Sequence, residues 1–270
     1  MQKQITNIVI RPAARGGKYL GHDAADSDNQ SAVVALVNPN SGGNVAHGLA
    51  EAPTPASAGP PNLMDPVSRS EPFATDGDTV QVQLSVEIAE PTVLRVLVFG
   101  PLSYPDQARL AQADITVLPG VDIGTDPMYP EGLVIEIPGL CISNVSANLQ
   151  GPQFNCNAKV TMMCGCPIGN ETPWPWPYTD FHVTLVTRTQ SGALYNYPLS
   201  FVQTPPKPNH NSLFAGQWTN QAPGDPVVEA WIYASEPKLG NQGKYRAYPS
   251  PLPPALPSEL QGIYVLPTSD

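Results

Sequence analysis

Residues 79–89, Thr79-Val80-Gln81-Val82-Gln83-Leu84-Ser85-Val86-Glu87-Ile88-Ala89, decide the fold class. Val80, Val82, Leu84, Val86 and Ile88 fall on one side of an extended chain, and Gln81, Gln83, Ser85 and Glu87 on the other. A period of two over this length specifies a β-strand with one buried and one wet face. Glu90-Pro91 then turns the chain into residues 92–99, where apolar side chains occupy both faces, as in a central strand covered on both sides. Working outward, shorter runs of the same kind lie at 5–10, 32–37, 115–118 and 133–137, each bounded by Gly, Pro, Asn or Asp. Asn38-Pro39-Asn40-Ser41-Gly42-Gly43 is turn chemistry, because Asn and Gly tolerate positive φ. Residues 51–72 are rich in Pro, Ala and Ser, lack periodicity, and read as a long irregular excursion.

A second set of strands is expected at 141–149, 157–164, 181–188, 195–202, 212–218, 227–235 and 243–249. Seven short strands in about 110 residues have the rhythm of an immunoglobulin-like sandwich, although its Cys…Trp…Cys signature is missing. Ala158, Val160, Met162 and Cys164 share one face; Phe181, Val183 and Leu185 supply its counterpart across the sheet. Near residue 230, Val228, Ala230 and Ile232 alternate with Glu229, Trp231 and Tyr233. Residues 238–243 close a hairpin to the last strand. The expected architecture is all-β: a sandwich over 1–138, an immunoglobulin-like sandwich over 139–248, and a Pro-rich extended arm over 249–270.

Composition narrows the function. Charged residues are 13% of the 270, about half of the usual share of roughly 25%. The 33 prolines are incompatible with a helical bundle, since each costs about 3 kcal/mol inside a helix. A net charge of −10 repels nucleic-acid phosphate. No stretch approaches the 18 or so apolar residues of a membrane span, and the first residues lack signal-peptide design, so no membrane insertion is expected and the compartment stays open. Asn144-Val145-Ser146 and Asn170-Glu171-Thr172 fit the glycosylation sequon, which matters only in a eukaryotic secretory pathway.

All four cysteines, Cys141, Cys156, Cys164 and Cys166, fall within 26 residues, beside Met162 and Met163. Thiolates with a thioether would suit copper or zinc. The Cys164/Cys166 spacing is not that of a zinc knuckle. Strand parity, placing Cys156, Cys164 and Cys166 in phase with inward residues, offers core thiols instead. Disulfides are the third option. Of the three pairings, the one that joins Cys164 to Cys166 is awkward on a strand, and crossed pairings would pin adjacent strands.

Residues 21–29, with Asp76-Gly77-Asp78, offer carboxylates but not an EF-hand pattern, so a solvated loop is expected. The four histidines lie in separate segments, and hydrolase, phosphate-loop and dinucleotide motifs are missing. No catalytic residue and no resident cofactor is therefore assigned. The aromatic residues say more: Trp174-Pro175-Trp176-Pro177-Tyr178 forms a rigid loop, while Trp231 and Tyr233 share an outward strand face. Such residues anchor protein interfaces at low entropic cost. The expected function is a non-enzymatic structural or interaction subunit of a larger homo- or hetero-oligomeric assembly, meeting protein partners through exposed aromatics, sheet edges and the Pro-rich arm. The alternatives are copper or zinc handling at the cysteines and carbohydrate binding by Trp174, Trp176 and Tyr178.

Overall fold

The computed structural model describes residues 2–16, 20, 30–51, 80–102, 104–124, 132–170, 176–204 and 209–266. Its regular structure is almost entirely β and divides into two units: Met1–Ile137 with Pro254–Asp270, and Pro138–Pro253. The excursion expected at 51–72, the acidic stretch at 21–29 and Asp76-Gly77-Asp78 lie almost wholly outside the described residues.

The first unit contains β1 (Gln4–Ala14), β2 (Gln30–Val37), β3 (Asn44–Glu51), β4 (Val82–Ile88), β5 (Thr92–Gly100), β6 (Arg109–Val117) and β7 (Leu133–Ile137). They form two sheets, β4-β1-β7 and β3-β2-β5-β6, in which only β1 and β7 run parallel. The alternating run becomes β4 as its period dictates: Leu84, Val86 and Ile88 are buried, while Gln83, Ser85 and Glu87 are exposed. Ile8 and Ile10 of β1, Val34 and Leu36 of β2, and Val96 and Val98 of β5 fill the core.

The doubly apolar strands β2 and β5 need a second cover, and the C-terminal tail supplies it. Val33, Ala35, Val37, Leu97 and Phe99 form a cluster with Leu260, against which Leu256, Ile263, Tyr264 and Leu266 also pack. Leu260 sits in a short 3-10 turn, Ser258–Leu260, and is fully buried. The tail is thus not a free arm. Residues 250–257 carry four prolines and no helix or strand, and the apolar residues beyond them return to the unit that begins the chain. Burial of this apolar surface outweighs the entropy of a leash whose flexibility proline has already reduced. The cover stops short of the start of β5, where Arg95 makes a bidentate pair with Asp114 at 2.7 and 2.9 Å and Val93 stays exposed.

The second unit contains β8 (Leu140–Asn148), β9 (Gln153–Met162), β10 (His182–Thr189), β11 (Leu194–Phe201), β12 (Leu213–Thr219), β13 (Val227–Glu236) and β14 (Asn241–Tyr248). These are the seven strands that its apolar runs specify. Their order, β14-β13-β10-β11-β12-β9-β8, is that of an immunoglobulin-like sandwich: β8-β9-β12 in one layer, β10-β13-β14 in the other, with β11 passing between them. The layers bury Phe154, Ala158 and Val160 from one side and Val183, Leu185 and Ile232 from the other. At one end Tyr197 fills the core, packed edge-on to Phe154 at 5.8 Å and beside Trp218 at 5.4 Å. The expected inward position of Val228 is corrected: it is 43% exposed, because the β10–β13 register slips between Arg188 and Thr189 and turns it out as a bulge residue.

Candidate functional site

The cysteines do not converge. β9 ends at Met162, and residues 162–166 form a tight turn in which Gly165 N–H donates to Met162 O and Gly165 takes φ of 75°. The turn brings the Cα atoms of Cys164 and Cys166 to 5.2 Å, closer than the roughly 6.6 Å of alternate strand residues, and the two are disulfide-bonded. This corrects two expectations: neither cysteine lies on a strand, and the pairing judged awkward is the one formed. Cys141 and Cys156 form no disulfide, and both are buried. Cys141 Sγ lies 3.5 Å from Met163 Sδ. Cys156 sits six residues before Met162 on an extended strand, about 20 Å away. Burial pushes its thiol up to about 12, so it is a protonated, unreactive core group at neutral pH. The four-cysteine centre with Met162 is therefore not assembled, and among the described residues no group of three or more His, Cys, Asp or Glu is placed to hold a metal ion.

The aromatic loop also departs from expectation. Trp174 lies outside the described residues. Trp176 is buried, and its carbonyl accepts from Gly169 N–H at 3.1 Å. Tyr178 stacks on Phe201 at 4.8 Å with ring planes 13° apart. Both rings serve the sandwich's own packing: the chain between β9 and β10 must cover the open end of the core, and large apolar rings do that at the least entropic cost.

Trp231 and Tyr233 hold the position that strand parity assigns them. Ala230, Ile232 and Ala234 are buried, so the residues between them stand on the outer face of β13. Cross-strand register adds what the linear sequence leaves unmarked: Trp231 faces Val186 on β10 and Arg246 on β14, and Tyr233 faces Thr184 and Lys244. The Lys244 ammonium lies 3.9 Å from the Trp231 ring centroid and 5.5 Å from that of Tyr233; the Arg246 guanidinium lies 5.9 Å from Trp231. Such cation–π contacts are worth about 0.5–1 kcal/mol at exposed sites, and they fix the rings upright as a platform. Beyond them Arg188 pairs with Glu229 at 2.6 Å, and His182 is exposed on the same face. Chemically this is a flat aromatic patch with a basic rim, on a chain whose net charge is −10.

No protein-family description and no curated protein matches the sequence. Among solved structures, the chain is similar to a DUF3823 family protein from Bacteroides ovatus, at 10% identity and a TM-score of 0.27, over 88% of this chain and 96% of that one. A DUF3823 family protein from Parabacteroides merdae is similar at 9% identity and a TM-score of 0.25, over 89% and 95%. A purple acid phosphatase, PPD1, from yellow lupin (Lupinus luteus) is similar at 10% identity and a TM-score of 0.23, over 90% of this chain and 41% of that one. Overlap of this size assigns neither a family nor an activity.

Proposed function

We propose that this chain is a non-catalytic interaction subunit of a larger assembly, and that the outer face of β10, β13 and β14 meets a protein neighbour. The observation that carries the reading is the Trp231–Tyr233 platform with Lys244 and Arg246 at its rim. Half-exposed aromatic rings with adjacent cations are the residue types that dominate interface hot spots. A basic rim on an otherwise acidic chain selects a neighbour with an acidic, flat surface and speeds its approach. That neighbour is a protein subunit, either another copy or a different chain. Few lysines guard the remaining sheet edges, which suits a subunit that is not meant to stay alone.

Native mass spectrometry of the protein from its natural source tests this. The expected result is a defined assembly that Trp231→Ala with Tyr233→Ala reduces to the single-chain mass, while the variant still melts cooperatively within several degrees of the wild type. A single-chain mass for the natural protein, or an assembly that the double variant leaves intact, would overturn the reading.

A further inference from the structure

A second surface of the immunoglobulin-like unit carries an inference that goes beyond that reading. The edges of its folded-over sheet, β8 and β14, meet where Gly243 lies against Leu140 and Ile142. There a Cβ on Gly243 would meet the Leu140 carbonyl oxygen at 2.7 Å, so the two strands are in direct contact. Further along, β8 bends at an irregularity between Ser143 and Ser146, where Asn144 takes φ of 49°. β14 stops at Tyr248, ahead of a run of prolines that cannot continue a ladder. The seam therefore opens into a cleft of about 880 Å³ between the β8–β9 turn, the β12–β13 loop and Tyr248.

The chemistry of this cleft is specific. Among the described residues no cationic side chain lines it, so it offers nothing to a phosphate or a carboxylate ligand. Its polar side-chain groups are the amides of Asn148, Gln150 and Asn220, the carboxylate of Asp225 and the hydroxyl of Tyr248. Three of these are set in place by their own loops. Asn148 Oδ1 accepts from Gln150 N–H at 3.3 Å; Asn220 accepts from Ala222 N–H at 2.9 Å and donates to Gly151 O at 3.2 Å; Asp225 accepts from the Ser191 hydroxyl at 2.6 Å. The bond from Ser191, with a second from Thr189, holds the Asp225 carboxyl below its ordinary range, so it is an acceptor at neutral pH. The Asn148 amide N–H₂, the Gln150 amide and the Tyr248 hydroxyl have no hydrogen-bond partner among the described residues. The Tyr248 ring is 37% exposed beside these groups and gives them an apolar wall.

We propose that this cleft binds a short neutral oligosaccharide. Sugar hydroxyls both donate and accept, which matches amides and a carboxylate without any countercharge. The C–H face of a pyranose ring matches the tyrosine wall. The volume lies within the roughly 300–1,000 Å³ of small-ligand sites. Prolines 152, 223 and 226 stiffen the rim, so little ordering entropy is lost on binding.

The test is an amide-resolved NMR titration of the whole chain with neutral trisaccharides of glucose, xylose, mannose and N-acetylglucosamine. At least one is expected to shift resonances of residues 147–152, 220–227 and 248 saturably, with a dissociation constant of about 1 mM or tighter. Gln150→Ala, which removes no internal bond, is expected to weaken binding about 5-fold, and Tyr248→Ala at least 10-fold, while Trp231→Ala leaves it unchanged. Titration of the matching soluble polysaccharide distinguishes a free sugar from a segment of a longer chain. Absence of saturable shifts with every probe, shifts centred on the Trp231 face, or binding indifferent to both Gln150→Ala and Tyr248→Ala would overturn the proposal. None of these results depends on whether the protein assembles with a neighbour.

Discussion

Each unit carries a sheet with an apolar outer surface, and the two surfaces meet opposite fates. In the first, Val33, Ala35, Leu97 and Phe99 are sealed by the chain's own tail through Leu260. In the second, Trp231 and Tyr233 stand open, held by Lys244 and Arg246. The difference lies in the residues. Aliphatic side chains and phenylalanine have no use for water, and a cover of similar side chains removes them from it completely. Tryptophan and tyrosine with basic neighbours tolerate solvent and still release free energy when a partner arrives. The open face is the one proposed above to meet a protein neighbour.

The sharpest way to break this comparison is to remove the tail. Truncation after Pro253 is expected to strip the first unit of its cover and abolish its melting transition, while the second unit still melts cooperatively; scanning calorimetry of the two forms decides. Leu260→Ala should reproduce part of that loss, about 2–5 kcal/mol, seen as a fall of roughly 5–15 °C in the first unit's transition. Within the second unit, Cys156 links stability to alkaline pH. Its ordinary pKa of 9.0 applies to the unfolded chain and about 12 to the folded one. Above pH 9 the unfolded state therefore loses a proton that the native state keeps, and stability falls as pH rises from 9 toward 12, by about 1 kcal/mol at pH 10. Denaturant melts of wild type and Cys156→Ala at pH 8 and pH 10 should show a loss that is larger in the wild type by that amount.

Smaller effects are expected at the open face. Trp231→Ala should cost about 1 kcal/mol or less, because it removes exposed contacts and no core, and a urea titration distinguishes this from the Leu260 effect. Least of all, Asp114→Asn breaks the exposed pair that lowers the Asp114 pKa, by hydrogen bonding from Arg95, and raises that of Arg95. Its melting temperature should be indistinguishable from that of the wild type.

How much of this was legible beforehand follows the distance over which each signal acts. The strand at 79–89 and the outward positions of Trp231 and Tyr233 rest on a period of two, which neighbouring residues settle among themselves. The apolar character of both faces of 92–99 declared that a second cover exists but not which segment provides it. Leu260 could not be singled out, because its value depends on Phe99, over 150 residues away in the chain. Lys244 and Arg246 escaped notice for the same reason: only the β13–β14 register sets them beside the rings. The cysteines misled because a strand was extended two residues too far, past the turn at Gly165.

The sequence by itself determined the all-β class, the strands of the second unit, most of those of the first (β3, Asn44–Glu51, went unmarked) and the facing of Trp231 and Tyr233, since those follow from local alternation and from proline's missing N–H. Tertiary structure alone decided that the tail seals the first unit, that Trp176 and Tyr178 pack inward, that Cys164 bonds Cys166, and that a cleft opens where β8 and β14 part. Each of these depends on which distant segments come to share one volume, and burial rewards that outcome without writing it into any single stretch of chain.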